Sequence, residues 1–140
     1  MTEQQVLDHF NKACENTLMN TLNIRYTKAD LEAGTLTATM PVGPQVHQPM
    51  GILQGGATVA LAESVGSAAS LLHVDPQESA PVGAEISANH VKSAKTGTIT
   101  ATATPVHIGR SSHLFDIRVE NENGELISIV RLLNFIKKLK

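Results

Sequence analysis

Charged, cysteine and aromatic residues are all scarce in this sequence, and each shortage excludes a class of protein. Only 17% of the 140 residues are charged and the formal net charge is −2, so the chain has no general attraction for nucleic acid or an anionic membrane. Cys14 is the only cysteine, which excludes an internal disulfide and favours a reducing compartment. Tryptophan is absent, and the few other aromatic residues form no clear stacking platform for a ligand.

Several recognisable signals are also missing. The first residues, Met1–Gln5, have neither the basic nor the apolar region of a signal peptide, and no run is apolar enough to span a bilayer. The histidines His47, His90, His107 and His113 have no metal-ligand spacing, and no Gly-x-Ser-x-Gly elbow indicates a serine hydrolase. We therefore expect a cytoplasmic protein without a metal, a cofactor of its own or a nucleic-acid partner.

The hydrophobic pattern predicts one domain, residues 1–140, with the order helix, two strands, helix, four strands. The length and the 41% apolar content suit a single globular core. Apolar residues at helical spacing predict a first helix over Glu3–Leu18, and a second begins at Gly55–Gly56 and fades near His73–Pro76. Alternating residues between turn signals predict strands at Leu22–Tyr26, Gly34–Met40, Val82–Ser93, Thr98–Val106, His113–Val119 and Glu125–Phe135.

The second helix determines the expected architecture. At about 19 residues it is roughly 28 Å long, and it is apolar on nearly every side, which predicts burial all round. Only one sheet is available to cover it. The sequence therefore predicts an α+β fold in which a curved antiparallel sheet wraps a long central helix.

Glu63 lies inside this helix and is the only formally charged side chain between Glu32 and Asp75. Its neighbours three and four residues away include no lysine or arginine, so the helix offers it no ionic partner. Burial of an unpaired carboxylate is costly, which favours a working residue over a solvated surface carboxylate. Ser67, one turn further on, lies on the same face and is placed to bond the carboxylate or a water molecule.

Gly55 and Gly56 begin the helix and offer unpaired backbone N–H groups at the positive end of its dipole. Such donors stabilise the oxyanion that forms when a carbonyl is attacked. Gly55 and Glu63 are eight residues apart, about 12 Å along the axis and roughly 80° around it. One carbonyl carbon does not easily reach both groups on a single helix. We therefore predict a homodimer in which Gly55 of one protomer faces Glu63 of the other.

At these positions the chain resembles the hotdog-fold acyl-CoA thioesterases. The resemblance rests on the run Gln48–Gly56, on Ala60–Glu63, and on the later segments Ile86–His90 and Pro105–Arg110. It extends from about Leu22 to the C-terminus. Within that family the chain is most similar to the phenylacetate-degradation, enterobactin-proofreading and dihydroxynaphthoyl-CoA types.

This resemblance implies a catalytic carboxylate at Glu63, an oxyanion contact from the Gly55 N–H, and supporting roles for Gln48 and Ser67. It also implies a tetramer. The family usually has a histidine before the two glycines, whereas this chain has Gln54. A glutamine amide can donate a hydrogen bond to a thioester carbonyl or position water, but it carries no positive charge and shuttles no proton.

Substrate contacts are predicted at three places. His90 on its strand and the flexible Met50 are candidates for lining the acyl pocket. Coenzyme A carries phosphates, and the turn formed by Gly109, Arg110 and Ser111 offers both a cation and N–H donors for them. Lys92 is the second choice for this contact.

The expected activity is hydrolysis of an acyl- or aryl-CoA thioester to the free acid and CoA. Glu63 would act as a general base toward water or as a nucleophile that forms a mixed anhydride. A carrier-protein thioester is an alternative substrate. Two other functions fit the same fold, a dehydratase or hydratase and a non-catalytic acyl-CoA binding module.

Overall fold

The computed structural model describes all residues, 1–140, and forms one six-stranded sheet around one long helix. Three helices and six strands follow each other as α1 (Glu3–Ala13), α2 (Leu18–Thr21), β1 (Arg25–Asp30), β2 (Thr35–Pro41), α3 (Gly55–Ser70), β3 (Ser79–His90), β4 (Thr98–Ile108), β5 (Ser112–Glu120) and β6 (Leu126–Lys138). The strand order is β1-β2-β4-β5-β6-β3, and every neighbouring pair is antiparallel. A 3₁₀ turn, Leu71–His73, extends α3.

The predicted architecture is confirmed, because α3 packs against all of the strands from β2 to β6. The alternation predicted for β2 is also confirmed, since Leu36, Ala38 and Met40 are fully buried. They meet Leu61 and Val65 of α3 in a single apolar core. None of the helices is both long and apolar enough to cross a membrane.

The two predicted elements nearest the N-terminus have wrong boundaries. The first helix ends at Ala13 instead of Leu18, and the first strand runs from Arg25 to Asp30 instead of from Leu22 to Tyr26. The short helix α2 was not predicted. Asn16 and Asn23 both adopt left-handed backbone conformations, with φ of 61° and 56°. Because asparagine tolerates this conformation better than most residues, each position turns the chain where the hydrophobic pattern alone predicted continuity.

The expectation that α3 is buried on every side is wrong for one face of the helix. The sheet covers the face that includes Leu61, Ala62 and Val65, all of which are fully buried. The opposite face carries Glu63 and Ser67, and Glu63 is exposed. One sheet of a single chain covers only one side of a helix, so the second face, whose only charged residue is Glu63, is not covered by the sheet.

A glycine allows the close approach of α3 to the sheet. A Cβ atom added at Gly66 would lie 2.6 Å from Leu132 Cδ2 and 3.1 Å from Ile117 Cδ1. A glycine-to-alanine change inside a helix normally stabilises it by up to about 1 kcal/mol. For Gly66→Ala we expect the opposite sign, a loss of about 1–3 kcal/mol in the free energy of unfolding, because the core is overpacked. Urea denaturation measures it; an unchanged or higher midpoint would contradict this close packing.

Candidate active site

The start of α3 presents two unpaired backbone donors. Gln54 is the N-cap, and its side-chain oxygen accepts a hydrogen bond from the Ala57 N–H at 3.0 Å. The Gln54 N–H itself donates to the Val46 carbonyl at 2.9 Å. The N–H groups of Gly55 and Gly56 are the remaining first-turn donors, and no side chain or loop carbonyl accepts from them. This is the positive end of the helix dipole, where negative charge is stabilised.

Gln54 therefore has a role that the sequence did not predict. Its carbonyl oxygen is committed to capping the helix, so only its Nε2 amide remains to act on a ligand. The position usually occupied by histidine in the similar family thus holds the helix start together in this chain.

The loop before α3 holds Gln48 in a hydrogen-bonded turn and directs Met50 outward. The backbone N–H of Gln48 donates to the Ile52 carbonyl at 2.8 Å, and its side-chain oxygen accepts from the Met50 N–H. The Leu53 N–H donates to the carbonyl of Ala94, in the segment before β4, at 2.7 Å. Met50 is 79% exposed and lines no cavity next to Glu63 or Gly55, so the pocket role predicted for it is not visible within one chain.

His90 lies directly over Gly55. A Cβ atom at Gly55 would be 2.7 Å from His90 Nε2, so only glycine fits there without moving the ring. His90 Nδ1 is 2.7 Å from the hydroxyl of Ser128, which fixes the orientation of the ring. A cavity of about 300 Å³ contains Gly55, His90 and Lys92 among its lining residues. The structure thus brings the predicted oxyanion donor and the predicted pocket histidine together.

The Glu63 side chain lines a different and larger groove. This groove has a volume of about 690 Å³, and it is mostly apolar. It is lined by Phe10, Ala13, Cys14, Leu18, Met19, Tyr26, Ala60, Glu63, Ser64, Ser67, Ala68, Leu71, Ala80 and Pro81. The three ion pairs of the chain do not include Glu63, so its carboxylate has no cationic partner.

Two other ionisable groups in the groove are unsuited to acid–base work at neutral pH. Burial raises the pKa of the Cys14 thiol, and burial followed by the nearby Cys14 raises the pKa of the Tyr26 hydroxyl. The Tyr26 hydroxyl also donates to the Ser64 carbonyl at 3.1 Å. Both groups are therefore neutral at pH 7. Glu63 is the only carboxylate in the groove.

Gly55 and Glu63, both on α3, contact two different positions of the edge strand β3. Gly55 is next to His90 at the end of β3, whereas Glu63 Oε2 would lie 2.7 Å from a Cβ atom at Gly83. The Gly55 cavity and the Glu63 groove share no lining residue. The separation calculated from helix geometry is thus present in the folded chain. One protomer does not place both groups around one carbonyl carbon.

A β-bulge in β3 determines which face of the sheet Gly83 and His90 lie on. In the pairing with β6, Gly83 lies opposite Asn134 and Glu85 lies opposite Leu133, which leaves Ala84 without a partner. The extra residue shifts the alternation of side chains by one. Gly83 and His90 therefore face the same side of the sheet, the side of α3, although seven positions separate them.

The turn predicted to bind the nucleotide lies elsewhere. Gly109, Arg110 and Ser111 connect β4 to β5, and the Ser111 carbonyl accepts from the Ile136 N–H at 2.9 Å. None of the three lines the Gly55 cavity or the Glu63 groove. Lys92 does line the Gly55 cavity, where it also pairs with Glu125 at 3.4 Å. Within one chain, Lys92 therefore lies beside Gly55 and the Gly109–Ser111 turn does not.

Sequence reasoning missed three residues that the fold brings to these places. Ser128 orients His90, Gly83 lies against the Glu63 carboxylate, and Asn134 is paired with Gly83 across β3 and β6. A glycine in the middle of a predicted strand was the one available signal, because such a glycine often marks a close approach. No cluster of three or more histidine, cysteine or acidic side chains forms a metal site.

Comparisons with known proteins identify the family of the chain. A family model described as Thioesterase superfamily matches residues 50–128. Proofreading thioesterase EntH of Klebsiella pneumoniae is 41% identical over 122 residues, or 87% of each chain. The 1,4-dihydroxy-2-naphthoyl-CoA hydrolase of Escherichia coli is 38% identical over 130 residues, or 93% of each chain.

A solved structure gives the same result in three dimensions. A mutant of thioesterase PA1618 from Pseudomonas aeruginosa superposes with a TM-score of 0.92 at 41% identity, covering 95% of this chain and 94% of that one. Together the fold and the relatives define a hotdog-fold hydrolase. The chain belongs to the thioesterase superfamily, and its reaction is the hydrolysis of a thioester.

Proposed function

We propose that this protein hydrolyses acyl-CoA thioesters, with Glu63 as the acid–base or nucleophilic residue and the Gly55 N–H as the oxyanion donor. The observation that carries the proposal is the pair formed by an unpaired carboxylate in an apolar groove and an unpaired helix N-terminus on the same edge strand. Each supplies one half of what thioester hydrolysis needs, which is an activated attacking group and a polarised carbonyl.

The chemistry then proceeds in two stages. Glu63 takes a proton from water as the water oxygen bonds to the carbonyl carbon, or its own oxygen attacks that carbon. Negative charge develops on the carbonyl oxygen, where the Gly55 N–H and the helix dipole stabilise it. The carbon–sulfur bond breaks, and the thiolate of CoA leaves. On the general-base route the thiolate takes up the proton held by Glu63. On the nucleophilic route water then hydrolyses the mixed anhydride, which releases the acid and frees Glu63, and the thiolate takes up the proton that this water loses. Gln48, Gln54 and Ser67 support these steps by hydrogen bonding to the carbonyl, the carboxylate or water.

The edge strand supports a shared site in a homodimer. A long edge strand presents unpaired backbone groups and is a template for pairing with another strand. Two copies of β3 paired antiparallel and centred near Ile86–Ser87 would place Gly83 of one protomer opposite His90 of its partner. Since Glu63 lies at Gly83 and Gly55 lies at His90, this two-fold pairing brings Glu63 of one protomer to Gly55 of the other. Assembly of two such dimers gives the proposed tetramer.

The exposed face of α3 is explained by the same pairing. Its uncharged residues leave a groove beside Glu63 that the protomer's own sheet does not cover. A second protomer would dry the groove and the carboxylate, which strengthens every electrostatic interaction there. The proposed substrate has an apolar acyl or aryl group that occupies this groove. The name of one relative, 1,4-dihydroxy-2-naphthoyl-CoA hydrolase, supports an aryl group on CoA.

Release of free thiol from a panel of aryl- and fatty-acyl-CoAs tests the proposal directly. We expect turnover of at least one class with an acid and CoA as the only products. A hydrated or dehydrated acyl-CoA with no free thiol would favour the dehydratase or hydratase alternative. Tight binding of every acyl-CoA without turnover would favour the binding module.

The nucleotide contact has its own test. We expect Lys92→Ala to raise the KM for an acyl-CoA by about tenfold, because a charge-assisted contact to phosphate is lost. The matched comparison is Arg110→Ala, for which we expect a smaller rise. A short thioester that lacks the nucleotide should show the same KM with both variants and the unmodified protein. The opposite ranking of the two variants would return the role to the Gly109–Ser111 turn.

A further inference from the structure

A chain of buried polar side chains runs from α3 to β6 behind Glu63. The amide nitrogen of Asn134 donates to the Ser70 hydroxyl at 2.8 Å and to the Gly66 carbonyl at 3.3 Å. His113 Nδ1 lies 3.0 Å from the same hydroxyl. These three side chains are essentially inaccessible to solvent. Their hydrogen bonds leave Asn134 with one fixed orientation.

His113 determines the direction in which the hydrogen bonds between these side chains are donated. Burial, followed by the nearby His73 and His107, lowers the pKa of His113, so the ring is neutral at pH 7. A neutral ring whose Nδ1 carries no proton accepts from the Ser70 hydroxyl, which leaves that oxygen free to accept from Asn134. The amide cannot be turned around, because the Gly66 carbonyl accepts a bond from nitrogen but not from oxygen. The Asn134 oxygen must therefore point away from α3's carbonyl.

That oxygen is the one buried side-chain polar atom in the chain without a hydrogen-bond partner. Buried acceptors of this kind are rare in folded proteins, and each calls for a physical explanation. An ordered water molecule is a common answer, because buried waters typically satisfy polar groups that no protein atom reaches. Asn134 Oδ1 therefore accepts a hydrogen bond from no group of the chain.

The position that a side chain on Gly83 would occupy lies between this oxygen and Glu63. A Cβ atom at Gly83 would be 3.9 Å from Asn134 Oδ1 and 2.7 Å from Glu63 Oε2. The absent side chain thus leaves a space bounded by two acceptor oxygens. A glycine inside a strand often marks the close approach of a ligand, and bulges such as that at Ala84 are frequent beside active sites. Glu63 makes no ion pair and is exposed, so its carboxylate can turn to admit a water molecule.

We propose that Asn134 Oδ1 and Glu63 Oε2 together bind, over Gly83, the water molecule that attacks the thioester. The inference rests on the proposed function and selects its general-base route. The water donates one hydrogen to each oxygen, and a lone pair of its own oxygen remains directed at the carbonyl carbon. As the new carbon–oxygen bond forms, the proton on the Glu63 side passes to the carboxylate. It is later transferred to the thiolate that leaves when the carbon–sulfur bond breaks.

Gly83→Ala is the sharper test, because it fills the space without touching the buried network. Alanine suits an exposed strand, and the atom it meets first is the end of the flexible Glu63 side chain. We expect kcat to fall by about tenfold or more, because a misplaced reactant costs on that scale. KM and the melting temperature should stay close to those of the unmodified protein. An unchanged kcat would overturn the proposal.

A second pair of variants separates the oxygen of Asn134 from its structural bonds. Asn134→Ala removes the oxygen and the bonds to Ser70 and Gly66, whereas the control Ser70→Ala breaks the same chain but leaves the oxygen in place. Both should lower the melting temperature, and only Asn134→Ala should lower kcat. Equal kcat values for the two would show that Asn134 is structural only. If Asn134→Ala does not fold, an unchanged kcat in Gly83→Ala still overturns the proposal.

Failure of the proposed function would look different. In that case the unmodified protein releases no thiol, or Glu63→Gln keeps its full turnover. With turnover present and dependent on Glu63, an unchanged kcat in Gly83→Ala, or equal kcat values for Asn134→Ala and Ser70→Ala, overturns the water site.

Discussion

Replacing Glu63 with glutamine is expected to reduce kcat for thioester hydrolysis by about 10²–10⁴-fold. The amide has the shape of the carboxylate but accepts no proton at neutral pH, and it is a poor nucleophile. Because Glu63 is exposed in the chain and forms no ion pair, the substitution should leave the melting temperature and the substrate KM almost unchanged. Thiol release at saturating acyl-CoA measures the effect.

A matched control removes a carboxylate of the same charge elsewhere. Glu32 is exposed between β1 and β2 and lines neither the groove nor the Gly55 cavity, so Glu32→Gln should retain full activity. Full activity in Glu63→Gln would show that this carboxylate is not the working group. Detection of an acyl-enzyme in the unmodified protein after rapid mixing would favour the anhydride route and exclude water as the first attacking group.

The second large effect is expected at Gly55. Gly55→Pro keeps a residue that suits the first position of a helix but removes its N–H, so the oxyanion donor is lost. Gly55→Ala is the matched control, because it places the same Cβ against His90 yet keeps the N–H. We expect the proline variant to lose about 10²–10³-fold more kcat than the alanine variant. Equal losses would mean that the crowding of His90, and not the donor, matters.

Mixing the two kinds of inactive subunit tests whether the site is shared. When Gly55→Pro and Glu63→Gln subunits exchange at equal concentration, half of the dimers contain one of each. In such a dimer one site carries both defects and the other carries neither, so about a quarter of the original activity should return. Exchange is confirmed by native mass spectrometry of differently tagged subunits. Complete exchange without recovery would show that each site is built within one protomer.

Most of the fold was predictable from the alternation in the strands and from the one long helix whose only charged residue is Glu63. Leu36, Ala38 and Met40 alternate with threonines, and this pattern allows only one face of β2 to be buried. The early boundaries failed because Asn16 and Asn23 turn the chain, a choice that depends on backbone conformation and not on hydrophobic period. Burial of α3 was overestimated because an apolar face does not reveal whether its own chain or a second copy covers it.

The candidate site was predictable to a similar degree. Glu63 stood out because no cation is available to it within its helix, and Gly55–Gly56 stood out as a helix start with free donors. Their separation followed from helix geometry. The closeness of His90 to Gly55 and the capping role of Gln54 did not follow, because both depend on contacts that no local pattern encodes.

By itself, the sequence determined the order of the central helix and the strands, the isolation of one carboxylate within that helix, and its separation from the helix start. Those properties depend on residue types and on spacing along the chain. Only the tertiary structure decided that Gly83 faces Glu63, that His90 covers Gly55, and that the Asn134 oxygen is left without a donor. These depend on a bulge in β3 and on its register with β6, which are set by packing between residues some fifty positions apart.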